Sequence, residues 1–150
     1  MRSQARLTIL FAFAALAIPA CASPPNDEPI DQEGIAALQA RITQAHPREQ
    51  SFLVAELISR MTEYSLKQYA AGDVDKANDL LNQVQQLAHE IHLAGNDKHL
   101  KDVEILLRRT AFRLSELRQS SSSDERPVVQ ATLAQVNQAQ NAAMLEVFRK

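Results

Sequence analysis

The sequence predicts an all-α fold: an up-down antiparallel four-helix bundle with a short additional helix ahead of it. Three observations carry that expectation. Apolar residues recur at three- and four-residue steps through most of the chain after residue 31. Trp is absent, Gly occurs only three times, and no run of β-branched residues suggests a strand. Breaks in the pattern at His46-Pro47, Gly72-Asp73, Gly95-Asn96 and Ser120–Ser123 fall at helix-length intervals.

The short helix is expected over about 31–45. Asp31 caps it, Ile35, Leu38 and Ile42 form its stripe, and Pro47 stops it because the residue before a proline avoids helical backbone. The second helix, about 48–71, carries Val54, Leu57, Ile58, Met61, Tyr64 and Ser65, widened by Phe52, Leu53, Leu66 and Tyr69. That width predicts the most buried helix of the fold, ended by Gly72 as C-terminal glycine. The third, about 73–94, has Asp73 as its cap and one clean seam: Val74, Ala77, Leu80 or Leu81, Val84, Leu87 or Ala88, and Ile91.

The fourth helix, about 97–119, turns Leu100, Val103, Leu107, Leu114 and Leu117 inward, with Ile105, Leu106 and Phe112 broadening that face. Glu104 and Arg108 stand four apart in the favourable order for an ion pair. Ser120–Ser123 reads as a flexible polar loop. The fifth helix, about 124–149, tolerates Pro127 in its first turn and packs Val129, Leu133, Val136, Ala143 and Val147, with Met144, Leu145 and Phe148 thickening its end. Its middle, Ala134 to Ala143, is mostly small or amide residues that let another helix approach closely. Connections of a few residues make successive helices antiparallel neighbours.

Residues 1–22 read as an export signal. Arg2 and Arg6 precede a 12-residue apolar run, Leu7–Ile18, too short for a bilayer span of roughly 20 residues. Two cleavage patterns overlap at its end. Ile18-Pro19-Ala20-Cys21 resembles a lipobox, which would lipidate Cys21, although Pro19 is atypical there. Ala20-Cys21-Ala22 also fits ordinary signal peptidase, freeing a chain that begins at Ser23. The placement of the only cysteine favours the lipobox, and residues 23–30 then serve as a tether to the membrane. Residues 31–150 form one domain without cysteine, so packing alone must stabilise it.

Removing Arg2 and Arg6 leaves 14 basic against 18 acidic residues, a net charge of −4. That balance argues against nucleic acid, whose phosphates supply most of the affinity of a binding protein. His89 and His92 stand three apart, and His99 follows, so a zinc or copper site is conceivable chemistry. However, the seam through Ala88 and Ile91 points these histidines outward, and the spacing departs from the H-E-x-x-H of zinc peptidases. Met61 and Met144 read as core fillers rather than haem ligands, and no cofactor is expected. Arg108, Arg109 and Arg113 make a basic patch open to anionic headgroups, an acidic partner or the acidic face of the third helix, but the interleaved Asp102, Glu104 and Glu116 favour ordinary solvated pairing. No glycine-rich phosphate loop, G-x-S-x-G or other catalytic pattern is present.

Between about Met61 and His92, the run Tyr69-Ala70-Ala71-Gly72-Asp73 with Ala77 resembles the turn and second helix of a tetratricopeptide repeat. Ser65, Gly72 and Ala77 occupy the small-residue places of that pattern. The resemblance implies helix-pair packing and, at most, protein binding. No second copy stands at the period of about 34 residues. The expectation is therefore an exported, non-enzymatic cell-envelope module that binds a protein partner or itself. The alternative is a periplasmic metal-binding bundle using its surface histidines.

Overall fold

A computed structural model describes residues 30–149; the export signal, Cys21 and residues 23–29 of the tether lie outside the described residues. The described chain is all-helical: α1 Gln32–Gln44, α2 Pro47–Ala70, α3 Val74–Glu90, α4 Leu100–Ser120 and α5 Arg126–Val147. None of these helices is long and apolar enough to cross a membrane.

Local chemistry sets most of the ends. The Asp31 carboxylate accepts from the Gly34 amide at 2.9 Å and opens α1. Pro47 fills the first turn of α2, where an amide would lack a helical partner anyway. Asp73 caps α3 by accepting from Lys76 at 3.2 Å. Between α2 and α3 the chain reverses at Gly72, whose φ of +83° suits a residue without Cβ. Gly72→Ala is expected to lower stability by about 1 kcal/mol through that angle, since open space surrounds the position. A urea titration would read the loss, and an unchanged midpoint would contradict it.

Beside this turn, the Tyr69 hydroxyl donates to the Asn78 side-chain oxygen. Burial first, and the Glu125 charge second, push the Tyr69 pKa up to about 12. The folded chain therefore holds this proton above the ordinary pKa of 10.0. Its contribution is fully present below that value and is lost as pH rises from there through the folded value. Tyr69→Phe should flatten the alkaline fall in stability over that window. Parallel curves for the two proteins would refute the assignment.

α2 is the most buried helix, as its wide stripe predicts, with eight buried residues including Leu57, Ile58 and Met61. Two of its buried hydroxyls bond to their own helix: Thr62 donates to the Ile58 carbonyl and Ser65 to that of Thr62. Ser51 differs, because its buried Oγ has no hydrogen-bond partner among the described residues. Ser51→Ala is accordingly expected to raise stability by roughly 0.5–1 kcal/mol by removing an unsatisfied group. A lower melting temperature in that variant would overturn the reading.

The helix pairs in contact are α2·α3, α4·α5, α2·α4 and α3·α5, with α1 packed on α2. The long helices thus form two hairpins laid against each other. Side chains bridge the two helices of each hairpin: Lys76 reaches Tyr64 at 2.9 Å, and Gln140 reaches Glu104 at 2.9 Å. Between hairpins the helices run parallel. Phe52 and His99 meet near the starts of α2 and α4, with ring centroids 5.2 Å apart, and Glu63 meets Arg113 further along. Thr132 of α5 likewise bonds to the Leu81 carbonyl of α3 and accepts from Gln85.

This arrangement corrects the expectation that all successive helices are neighbours. α3 and α4 are not in contact among the described residues. Their connection is longer than the sequence suggested. α3 stops at Glu90 rather than near residue 94, and α4 begins at Leu100 rather than Asp97. Residues 91–99 carry the chain across to α4, turning where Ala94 and Asp97 exchange bonds of 2.9 and 3.3 Å. Gly95 lies in that connection and does not end a helix. The serine run also differs from the loose loop expected. The Ser122 hydroxyl accepts from the Glu125 amide while the Glu125 carboxylate accepts from the Ser122 amide, a reciprocal capping box. Ser121 is buried and donates to the Leu117 carbonyl at 2.7 Å.

Candidate functional site

Because α2 and α4 run parallel, each turn of one stands beside an equivalent turn of the other. Along their outer side lies a groove of about 900 Å³, lined on α2 by Glu56, Ser59, Arg60 and Glu63, and on α4 by Leu106, Arg108, Arg109, Phe112 and Arg113. All three arginines of the patch expected from sequence line it. Ile30 closes one side, its carbonyl accepting from Lys67 at 3.2 Å.

The charges differ in how firmly they are held. Arg60 and Glu56 form a tight pair one turn apart on α2, at 3.0 Å and largely covered. Arg113 reaches across to Glu63 at 3.9 Å, and Arg108 stands 3.8 Å from Glu104. Both arginines are more than half exposed, so these long contacts contribute little energy. Glu104 is fixed instead by Gln140 of α5. Arg109 is exposed and forms no ion pair among the described residues. Three guanidinium groups consequently offer forked donors to solvent, a geometry matched to carboxylates and phosphates.

Phe112 was expected to broaden the inward face of α4. It is instead 65 % exposed in this groove. The helical period explains the error: Leu107, Thr110, Ala111 and Leu114 take the buried positions, which puts Phe112 outside that stripe. An exposed phenyl ring among arginines adds apolar recognition to a cationic surface. Cationic forks with one aromatic contact can hold an acidic segment; the rest of the lining is mixed, with Ile30 and Leu106 apolar, Ser59, Thr62 and Thr110 carrying hydroxyls, and Glu56, Arg60 and Glu63 charged.

The three histidines are distributed differently from the pattern their spacing suggested. His89 is exposed in the last turn of α3, where its charge would favour the helix C-terminus. His92 lies beyond the end of α3, so the two do not share a helix face. It lines a cavity of about 450 Å³ with His46, Glu90 and Asp97. His99 stands apart, its ring tilted by 41° against that of Phe52 and 3.2 Å from Asp102. Among the described residues, no group of three or more His, Cys, Asp or Glu is placed to hold a metal ion.

At the far end of α5, Leu145 and Phe148 are 68 % and 78 % exposed, and Met144 is partly so. The sequence had assigned them to the core. They fall outside the buried stripe of Val129, Leu133, Val136, Ala139 and Ala143. In comparisons with known proteins, no family model matches the chain, and neither a curated protein nor a solved structure resembles it.

Proposed function

We propose that this chain is an exported, non-enzymatic module of the cell envelope, tethered through Cys21, that recognises an acidic segment of a protein partner in the α2–α4 groove. In this reading the four long helices act as one bundle, a rigid frame holding the two groove walls in register. The carrying observation is the coincidence of exposed Arg108, Arg109 and Arg113 with the exposed Phe112 in one groove. An acidic segment with an apolar side chain satisfies both features. Regular helices on each side hold the groove in advance, which lowers the ordering cost of binding. Steering by three surface charges should make capture fast at low salt and weaker at high salt.

The test is affinity capture from the host's envelope fraction with wild-type protein and an Arg109→Glu/Arg113→Glu variant side by side. A protein retained by the first and lost by the second, with salt-sensitive retention, is the expected result. Identical sets of retained proteins would contradict the proposal.

A further inference from the structure

The α2–α4 groove lies where the chain enters the domain. Ile30 lines it, and Lys67, one turn beyond Glu63 on α2, holds the Ile30 carbonyl at 3.2 Å. Asp31 then caps α1, which packs on α2, so the point of entry is fixed from both sides. The residues immediately before it read Asn26-Asp27-Glu28-Pro29. Two carboxylates followed by an apolar side chain is the chemistry the groove selects, and the apolar member, Ile30, is already seated there.

Charge matches as well. Four arginines and two glutamates line the groove, which leaves two positive charges for the two carboxylates of Asp27 and Glu28. The surplus belongs to α4. Arg108 has Glu104 at 3.8 Å, whereas Arg113 makes one contact at 3.9 Å while more than half exposed. Arg109 is exposed and forms no ion pair among the described residues.

We infer that the groove's resting occupant is the chain's own segment 27–29, with Glu28 reaching Arg113 and Asp27 reaching Arg109. The inference rests on reading the groove as a site for acidic segments, and it adds the regulation of that site. Reach supports the register. Arg113 contacts Glu63, the neighbour of Lys67 by one turn, so it stands at the Ile30 end of the groove. Two extended residues span about 7 Å, enough to bring Glu28 to Arg113. One further residue and its side chain cover the single turn, about 6 Å, from Arg113 to Arg109. Pro29 favours this path, because the residue before a proline is kept from helical backbone.

A partner segment therefore competes with one fastened to the domain, whose effective concentration is on the order of millimolar for so short a link. Weakly acidic segments are turned away. A partner that also engages Phe112 displaces the tether and gains the groove.

Spin labelling of the full mature chain tests the contact, with a nitroxide on Asn26→Cys in a Cys21→Ser background. The amide signals of Arg109, Phe112 and Arg113 should broaden, while that of Asp79 on α3 should not. Neutralising the pair with Asp27→Asn/Glu28→Gln, or adding about 1 M salt, should remove most of the broadening. Both substitutions precede α1, so signals elsewhere in the domain stay in place. Broadening that is absent from the groove, or unchanged once the two carboxylates are neutral, overturns the inference. Partner capture is read separately with the Arg109→Glu/Arg113→Glu variant in the envelope fraction, so the resting contact and partner recognition can each fail alone.

Discussion

Leu81→Ala is expected to cost about 3 kcal/mol of folding stability, from lost burial and the cavity left behind. Leu81 is fully buried on α3, and its carbonyl accepts the Thr132 hydroxyl of α5 at 3.4 Å. The site thus lies where the two hairpins meet on the α3–α5 side. The neighbouring exposed Asn82 provides the control, since Asn82→Ala should change stability by no more than about 0.5 kcal/mol. Urea unfolding of both variants measures the difference. A loss below about 1 kcal/mol at Leu81 would mean that the α3–α5 contact is not part of the stable core.

Ala77→Leu is the second large effect, about 2 kcal/mol of destabilisation from overpacking. Ala77 has no exposed surface and sits one turn into α3, directly after the Gly72 reversal. Three added carbons there must displace the neighbouring α2 or force strained rotamers. A thermal scan should show a fall of roughly 10 °C for a domain of this size. An unchanged or higher melting temperature would show slack in the α2–α3 hairpin that full burial of Ala77 does not suggest.

These positions also show which parts of the fold were legible. Asp31, Asp73, Gly72 and the buried stripe of α2 were readable because each depends on residues within a turn or two of itself. Ser65, Gly72 and Ala77, the small positions of the tetratricopeptide-like pattern, are respectively buried, left-handed and buried. The reach of α3 was not readable. Its apolar period continues through Ile91, yet the chain leaves the helix there because the next helix packs against α2 and not against α3. That choice depends on contacts between residues some fifty positions apart, such as Glu63 with Arg113.

The same limit applies to the candidate site. Arg108, Arg109 and Arg113 were visible as a basic cluster, but Glu56, Arg60 and Glu63 could be placed opposite them only once α2 and α4 were known to run parallel. Phe112, Leu145 and Phe148 were misassigned for a related reason. Apolar identity says that a side chain gains by burial; which helix is present to bury it is a tertiary fact. The Ser122–Glu125 box was a local signal present in the sequence and hidden by the surrounding serines.

The most direct measurement is photo-crosslinking in the living host, with a benzophenone amino acid at Phe112 and, for comparison, at Asp79 on the outer face of α3. The expected result is a discrete covalent adduct of one partner protein at Phe112, absent at Asp79 and lost when Arg109→Glu and Arg113→Glu are added. No adduct at Phe112, or the same adducts at both positions, would contradict recognition through the α2–α4 groove.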